Sequence, residues 1–589
     1  REMMRRVSDL LGCELKDLWG GTFHSVANRV LRMHANLVGF ERDFSIMDRE
    51  DARHLLTTCI AEAGIDVKET RFPKADVLGD IYSLAVNTQK SVGEILARQY
   101  RHFDHLAESV KRVQEVYATH KRGCNAMDFD DLLEYWLRLM REQPEVREQY
   151  QRKFEFVLVD EYQDTNKLQG DIIDVLAERR RNLMVVGDDS QSIYAWRGAN
   201  FQNILEFPVR YPDAKVYKIE MNYRSTPEIL GVANAAIMAN ARQFRKELTP
   251  ARKPGMKPAV VACADSHQQA EFVAQRVLEL RDEGMDLNGM AVLYRSHFHA
   301  LELQLELTRR NIPFTITSGI RFFEQAHIKD VIAHIKLVMN PRDELAFKRL
   351  VLMLPGIGGK GAEKLWKCFE TASVEVLASG AAPAVATALQ RCESLLRAGS
   401  RVAWAQFSAT VAQLEQERTK ENASGLIALV LEAGYDKYLE ENFANHKSRL
   451  EDLQQLAVFA RQFHEIQEFL SQLALLTNLE AEEEKPADKD EEQIKLSTIH
   501  QAKGLEFDVV FVIMLCDGMF PSERSLETAD GEEEERRLMY VAVTRARTEL
   551  YLCYPVVRDT YGGYGQQAPS RFLGEIPGEL VESWGVKKF

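Results

Sequence analysis

Two acidic residues at the end of an apolar segment are the first candidates for chemistry in this chain. In VLVDEYQDT, Asp160 and Glu161 directly follow a run of aliphatic residues that predicts a buried strand. Carboxylates at the carboxyl edge of a strand suit a Mg²⁺–nucleotide site, where one holds the metal and the other accepts a proton from attacking water. The alternative is an acidic loop that caps the next helix.

A second segment of this kind supplies an amide and two aromatic residues. VVGDDSQSIYAWRGA (185–199) follows the next predicted strand, and its Gln191 is placed to sense a γ-phosphate or to orient water. Tyr194 and Trp196 lie in a polar, glycine-containing stretch where core packing does not obviously need them, which makes them candidates for stacking on bases. Such stacking contributes about 1–3 kcal/mol per base and tolerates any sequence. Packing in a core is the alternative for both rings.

Arginines follow in two later segments. EMNYRS places Tyr223 beside Arg224, and RRLMYVAVTRAR (536–547) has apolar residues at helical spacing and is predicted to expose Arg545. A guanidinium is permanently charged and forked, which suits it to stabilise charge on a phosphoryl group during transfer. A single arginine on a helix is usually an ordinary surface residue. Arg224 and Arg545 therefore indicate a nucleotide site only in combination with the carboxylates Asp160 and Glu161.

The stretch LPGIGGKGAEKLW (354–366) is rich in glycine and contains GxGxxG. We interpret it as a turn of the helix-hairpin-helix kind and not as a nucleotide loop. No strand precedes it, and Lys360 is followed by Gly361 where a phosphate loop needs Ser or Thr. Gly358 and Lys360 would then contact the backbone of duplex DNA. A plain turn between helices, without a ligand, is the alternative.

The elements that must position these residues alternate between strands and helices. Apolar runs rich in β-branched residues predict buried parallel strands at 154–159, 183–186, 290–294 and 508–514. Residues from about 35 to 150 and from about 325 to 490 have helical patterns, and the acidic run 480–492 is typical of a solvated linker. The sequence therefore predicts an α/β protein with two parallel-sheet domains, each carrying a mostly helical insertion.

Composition narrows the class of protein without naming a function. A chain of 589 residues is too long for one core, so several domains are expected. Its 75 basic and 89 acidic residues give a net charge of −14, which argues against a nonspecific DNA-coating protein but not against a local DNA-binding groove. The eight cysteines form no CxxC pair, so we expect neither a zinc site nor a disulfide framework.

In combination, these motifs resemble those of superfamily 1 DNA helicases of the UvrD/Rep/PcrA type. The resemblance covers essentially the whole chain and runs in the order of the family. Its blocks are GTFHSVANRVLR (21–32), DFDDLL (128–133), VDEYQDTN (159–166), VVGDDSQSIYAWRGA (185–199), NYRST (222–226), SGIRFFE (318–324), STIHQAKGLEFDVVF (497–511), FPSERS (520–525), YVAVTRAR (540–547) and PSRFLGEIP (569–577).

The resemblance implies a role for each matching position. Asp160 would coordinate Mg²⁺, Glu161 would activate water and Gln191 would act as the sensor glutamine. Arg224 and Arg545 would be arginine fingers, Tyr223 would stack on adenine, and Glu506 would contact the ribose and phosphate region. The positions implied to contact single-stranded DNA are Phe23, His24, Tyr194, Trp196, Thr498 and His500, with Phe129 and Arg295 as weaker candidates.

The resemblance also implies an architecture and an activity. Two RecA-like motor domains, residues 1–34 with 151–215 (1A) and 216–321 with 493–589 (2A), would carry the helical insertions 35–150 (1B) and 322–492 (2B). Mg²⁺ and ATP would bind at the cleft between the motor domains and drive 3′–5′ translocation on single-stranded DNA with duplex unwinding, in repair or replication restart.

Partners and location follow from the same resemblance. The expected partners are single-stranded DNA, junctions of single- and double-stranded DNA, and repair or replication accessory proteins. We expect a monomer or weak dimer in the cytoplasm, associated with the nucleoid and not with a membrane.

One family motif has no counterpart in this sequence. Residues 1–589 contain no GxxxxGK[ST] phosphate loop, and the opening REMMRRV resembles the end of the family segment that follows this loop. We therefore expect the loop to lie upstream of Arg1, and a polypeptide without it to lack ATPase activity. The alternative function is a noncatalytic DNA-binding remnant or truncated fragment.

Overall fold

The computed structural model describes residues 7–10, 12, 18–65, 72–317, 322–379, 383–443, 445–473, 492–560 and 563–586. The chain divides into two units. Unit 1 comprises Arg1–Tyr217, Arg242–Arg245 and Glu441–Ala444, and unit 2 comprises the rest. The predicted linker over 480–491 and residues 318–321 of the SGIRFFE block lie outside the described residues.

Unit 1 is mainly helical, as the pattern from 35 to 150 predicts. Side-chain caps explain several helix starts: Ser91, Asp128 and Asn166 each accept a backbone N–H in a reciprocal capping box. One core joins the helices Phe23–His34 and Phe129–Glu142 through buried aliphatic and aromatic side chains. The helices are Phe23–His34, Arg49–Glu62, Ala75–Thr88, Val92–Gln99, Ala107–Gly123, Phe129–Glu142, Pro144–Lys153, Lys167–Ala177, Gln202–Leu205 and Phe207–Arg210.

Two short parallel pairs of strands complete the description of unit 1. Strands β1 (Ser45–Ile46) and β2 (Ala126–Met127) pair with each other, as do β3 (Val157–Val159) and β4 (Leu183–Val185). The prediction that the β3 and β4 segments are wholly buried was wrong. Leu158 is 71% exposed and Met184 58%, because side chains alternate along a strand and their neighbours Val159, Leu183 and Val185 are the ones that pack on the adjacent cluster.

Unit 2 is built on a seven-stranded parallel sheet, which confirms the predicted α/β class. The strand order is β15-β7-β12-β11-β8-β10-β9, and side chains from β7, β8 and β11 form its fully buried core. The remaining strands form two small pairs. The strands of unit 2 are β5 (Met221–Asn222), β6 (Thr249–Pro250), β7 (Ala259–Cys263), β8 (Met290–Tyr294), β9 (Phe314–Thr317), β10 (Ile494–Thr498), β11 (Phe507–Val512), β12 (Ala546–Pro555), β13 (Val557–Thr560), β14 (Gly563–Gln566) and β15 (Glu582–Gly585).

Helices flank this sheet and fill the segment between β9 and β10. Pro227–Ile237 precedes the first strand of the sheet in sequence, and the helices between its strands are Ser266–Asp282, Leu301–Arg309, Ile499–Ala502, Ala529–Val543 and Arg571–Gly574. The predicted helical block contains Ala326–Met339, Glu344–Leu352, Gly359–Ser379, Ala384–Arg391, Arg401–Glu417, Ala423–Val430, Asp436–Asn442 and His446–Ala460. No helix in the described part of the chain combines the length and apolarity that crossing a bilayer requires.

Candidate functional site

The acidic pair of unit 1 lies at the carboxyl edge of β3. Because β3 and β4 are parallel, with Val159 opposite Val185, the segments that follow both strands meet at this edge. Asp160 and Glu161 are exposed, and Glu161 adopts a left-handed backbone conformation with φ of 51°. Such a conformation is costly for a side chain other than glycine and is common at functional sites.

Gln163 fixes the acidic pair against the loop that follows β4. Its Nε2 donates to Oε2 of Glu161 at 2.6 Å, and its Oε1 accepts the backbone N–H of Asp188 at 3.0 Å. Gln163 is fully buried. Asp188 in turn accepts from Nε2 of Gln191 at 2.9 Å, so the predicted sensor glutamine belongs to the same network. Sequence reasoning assigned Gln163 no role, although it lies within VDEYQDT.

The aromatic residues after Gln191 present ring surface to solvent. Trp196 is 61% exposed, and Tyr194 is partly exposed. The turn that carries Trp196 ends at Gly198, whose φ of 86° disfavours any other residue. Exposure of a large aromatic ring at this position agrees with the predicted base stacking and disagrees with the core-packing alternative for Trp196.

Three candidate DNA contacts lie together elsewhere in unit 1. Phe23 and His24 open the helix Phe23–His34, which Thr22 caps, and Phe129 opens the helix Phe129–Glu142. The rings of His24 and Phe129 meet edge to face with centroids 5.8 Å apart, and Phe129 is 53% exposed. Burial lowers the pKa of His24, so the ring is neutral near pH 7 and can stack without a charge.

A buried ion cluster supports the start of the helix Phe129–Glu142. Nζ of Lys121 lies 2.7 Å from Asp128 and 2.6 Å from Asp131, and Lys121 is only 7% exposed. Burial, followed by the charge of Asp128, raises the pKa of Asp131 to about 7. The cluster therefore contains a carboxyl group that titrates near neutral pH.

Unit 2 contains an open groove of about 610 Å³ lined by arginines and one tyrosine. Oε2 of Glu506 contacts Nε of Arg224, and its Oε1 contacts Arg547. Hydrogen bonds from Arg547 and then Arg224 hold the pKa of Glu506 below its ordinary value. Tyr223, which is 78% exposed, also lines the groove. Sequence reasoning named Tyr223, Arg224 and Glu506, and the structure brings these three together.

The prediction that Arg545 is exposed was wrong. Arg545 is 2% exposed, because its guanidinium turns back over the preceding helix and donates to the carbonyl oxygens of Val541 at 3.1 Å and Leu505 at 3.0 Å. The arginine of TRAR that lines the groove is Arg547, with a side chain 38% exposed. The sequence motif contained both arginines but could not show which one turns inward.

Arg252 is a second groove residue that sequence reasoning missed. Its Nη1 donates to the backbone carbonyls of Arg224 at 2.8 Å and Arg547 at 2.9 Å. One guanidinium therefore joins the two segments that carry the groove arginines. No motif marks Arg252, because its role depends on contacts distant in sequence.

Three candidate DNA contacts of unit 2 lie at the edge of the seven-stranded sheet that is opposite the groove. Thr498 ends β10 and pairs with Tyr294 at the end of β8, so Arg295 and His500 follow the same carboxyl edge. Two groove residues, Glu506 and Arg547, lie at the start of β11 and β12 and therefore at the amino edge. At about 3.3 Å per residue, strands of five or six residues separate the two edges by roughly 17–20 Å. Arg295 also pairs with the buried Glu535 at 2.8 Å.

The glycine stretch forms the predicted turn between two helices. The helix Glu344–Leu352 precedes it and Gly359–Ser379 follows, so the strand that a nucleotide loop needs is replaced by a helix. Gly356 has φ of 78°, and a Cβ there would lie 2.8 Å from Oγ of Ser400. Gly358 and Lys360 are exposed. A turn between two helices is therefore present, while its helix-hairpin-helix character and its contact with duplex DNA stay predictions.

Comparison with known proteins decides the family. Residues 1–212 match the UvrD/REP helicase N-terminal domain, and residues 217–556 match the UvrD-like helicase C-terminal domain. The chain belongs to the UvrD-like helicase family. Among curated relatives of this UvrD-like helicase, the ATP-dependent DNA helicase PcrA of Bacillus subtilis (strain 168) is 35% identical, over 100% of this chain and 79% of the relative.

Two further relatives agree with this assignment. PcrA of Staphylococcus aureus (strain Mu50) is 32% identical over 99% of this chain and 79% of the relative. PcrA of Leuconostoc citreum is 34% identical over 99% of this chain and 78% of the relative. The likeness thus extends over both units of the UvrD-like helicase, and the predicted family and RecA-like fold class are confirmed.

Proposed function

We propose that this UvrD-like helicase uses Mg²⁺ and ATP to move 3′–5′ along single-stranded DNA and to unwind duplex DNA, in repair or replication restart. The observation that carries the proposal is the groove of unit 2, where Arg224 and Arg547 share Glu506 beside the exposed ring of Tyr223. Forked guanidinium groups recognise phosphate oxygens, and an exposed tyrosine offers a stacking surface for a base.

Unit 1 supplies the complementary chemistry. Glu161, held by Gln163, would accept a proton from attacking water, and Gln191 would orient that water. The described residues contain no group of three His, Cys, Asp or Glu side chains arranged to hold a metal ion alone. Mg²⁺ at nucleotide sites binds one or two carboxylates and takes its other ligands from phosphate and water, so the exposed Asp160 fits it. When bound, Mg²⁺ would neutralise charge on the phosphates.

The exposed aromatic residues support the DNA part of the proposal. Trp196 and Phe129 offer ring faces on which bases can stack without regard to sequence. The position of Gly358 and Lys360 in an exposed turn agrees with contact to a duplex backbone. The same proposal includes the division into 1A, 1B, 2A and 2B given above. It assigns Arg545 to the nucleotide. The further residues that it assigns to DNA are Phe23, His24, Tyr194, Thr498, His500 and Arg295.

The test is ATP hydrolysis stimulated by single-stranded DNA, measured on the full-length protein with Glu161→Gln. We expect kcat to fall about 10²- to 10⁴-fold, because the general base is lost, while ATP and DNA still bind. Glu145→Gln, an exposed glutamate of unit 1, is the matched control and should hydrolyse ATP normally.

Two results would refute the proposal. Undiminished hydrolysis in Glu161→Gln would remove the assigned base. A wild-type protein that binds DNA without hydrolysing ATP would favour the noncatalytic alternative. Unwinding of duplexes with a 3′ tail but not a 5′ tail would establish the direction of movement.

A further inference from the structure

A chain of side-chain hydrogen bonds crosses unit 1 from one predicted functional segment to another. Nδ2 of Asn166 donates to Oδ1 of Asn87 at 2.6 Å, and Nδ2 of Asn87 donates to Oδ1 of Asp130 at 2.8 Å. The three residues are 79 and 43 positions apart in sequence. Because Asn87 both accepts and donates, an amide is the side chain that this central position requires.

The Asp130 end of the chain lies at the candidate DNA contacts. Asp130 follows Phe129 directly, and the ring of Phe129 meets that of His24. The charge of Asp130 also acts on His24 and opposes the lowering of its pKa by burial. A base that stacks on these rings and displaces Phe129 must therefore disturb Asp130.

The Asn166 end lies at the segment that carries the carboxylates. Asn166 ends VDEYQDTN and caps the helix Lys167–Ala177 by accepting the backbone N–H of Gln169 at 2.8 Å. Its carbonyl oxygen accepts from Nδ2 of Asn203 at 3.0 Å, and the same amide bonds Thr165. The backbone N–H of Thr165 donates to the carbonyl oxygen of Tyr162 at 3.2 Å, so Asn166 is linked through Thr165 to the residue that follows Glu161.

Asn87 also lies close to the loop of Trp196. A Cβ placed on Gly198 would lie 3.5 Å from Cβ of Asn87, so the helix Ala75–Thr88 packs directly against the end of this loop. Asn87 thus hydrogen-bonds to the segments that follow Glu161 and Phe129, and it lies close to the segment that follows Trp196.

We propose that Asn87 is a positioning residue through which DNA bound at His24, Phe129 and Trp196 accelerates the chemistry at Glu161. Hydrogen-bond networks and packed elements are the physical carriers of coupling between sites. The inference rests on the proposed function, because it assumes that DNA stimulates ATP hydrolysis. Asn87 lies in the helical region, outside the family motifs, and the inference gives it a role in coupling DNA binding to ATP hydrolysis.

The test compares Asn87→Asp with wild type in the full-length protein. The substitution keeps the acceptor for Asn166 but faces the carboxylate of Asp130 with a second carboxylate. We expect the ratio of DNA-stimulated to DNA-free hydrolysis to fall by about tenfold, since a hydrogen bond to a charged group is replaced by repulsion. Affinity for single-stranded DNA, measured by fluorescence anisotropy with a labelled oligonucleotide, should change by less than about threefold, a small effect in free energy.

Two further variants separate coupling from general damage. Asn125→Asp is the matched control, because Nδ2 of Asn125 donates to Asp43 at 3.0 Å and its Oδ1 accepts the backbone N–H of Glu41, the same pattern away from the chain. It should retain the wild-type ratio. In the double variant Asn87→Asp with Asp130→Asn, the introduced amide at position 130 can donate to the introduced carboxylate, so the ratio should recover.

The outcomes distinguish this inference from the proposed function. A normal ratio in Asn87→Asp, an equal loss in Asn125→Asp, or no recovery in the double variant would each overturn the role of Asn87. If wild-type hydrolysis does not respond to DNA, the proposed function itself fails. If Asn87→Asp does not fold, as judged by circular dichroism, Asn166→Asp breaks the neighbouring link while keeping the cap acceptor, and it should lower the ratio likewise.

Discussion

Gly187 offers a sharp test of how the acidic pair of unit 1 is held. This glycine is exposed, yet a Cβ built on it would lie 2.3 Å from Oε1 of Gln163, 2.9 Å from Cδ1 of Ile204 and 3.2 Å from the backbone nitrogen of Tyr162. We predict that Gly187→Ala strongly destabilises the protein and slows ATP hydrolysis. Surface exposure alone would predict the opposite, a neutral substitution.

The size of the expected destabilisation follows from the hydrogen bonds that Gln163 would lose. To restore an ordinary contact distance, its side chain has to move by about 1 Å. That movement breaks its bonds to Glu161 and to the backbone N–H of Asp188. Overpacking typically costs about 1–3 kcal/mol, and each lost buried hydrogen bond adds a similar amount. We therefore expect the free energy of unfolding to fall by about 3 kcal/mol, and kcat to fall by more than tenfold, because Glu161 loses its anchor.

Urea unfolding, monitored by far-ultraviolet circular dichroism, measures the drop in the free energy of unfolding. We expect a lower midpoint, with an unchanged dependence of the free energy on urea concentration. Gly93→Ala is the matched control in the same unit, because no atom lies within 4 Å of the new Cβ in the helix Val92–Gln99. It should be neutral or stabilising by at most about 1 kcal/mol. A second control adds Gln163→Ala to Gly187→Ala and removes the nearest clashing atom.

Either of two results would contradict the prediction for Gly187→Ala. One is a Gly187→Ala variant as stable as Gly93→Ala. The other is a double variant whose destabilisation equals the sum of the two single effects, since residues that clash with each other must show non-additive free energies.

Two further predictions concern the ion cluster of unit 1 and the groove of unit 2. Because the pKa of Asp131 is raised from about 3.9 to about 7 on folding, its protonated form stabilises the fold at low pH, and this contribution is lost as pH rises through 7. The free energy of unfolding of the wild type should therefore fall as pH rises from about 5.5 to about 7.5, and Asp131→Asn should flatten this dependence in urea titrations. An unchanged slope in Asp131→Asn would contradict the assignment. Arg252→Gln removes the guanidinium that joins the backbone of Arg224 to that of Arg547. It should raise KM for ATP about five- to tenfold without changing the affinity for DNA. An unchanged KM would show that Arg252 does not order the groove.

Much of the fold and several candidate residues could be predicted because they depend on local patterns. The runs 154–159, 183–186, 290–294 and 508–514 contain the strands β3, β4 and β8 and most of β11, since β-branched residues next to polar turns favour strands whatever lies around them. The end of a helix before PGIGGKG was also predictable from the local sequence. The order of the motifs also sufficed to indicate the helicase family, which the comparisons confirm.

The direction in which each side chain points was decided by tertiary structure alone. Arg545 and Arg547 share one motif, but only the packing of the helix Ala529–Val543 against β12 turns the first inward and leaves the second in the groove. The links from Asn87 to Asp130 and Asn166 join positions 43 and 79 residues apart. No local pattern contains such pairs, because a hydrogen bond between distant residues depends on how whole elements pack and not on the sequence around either partner.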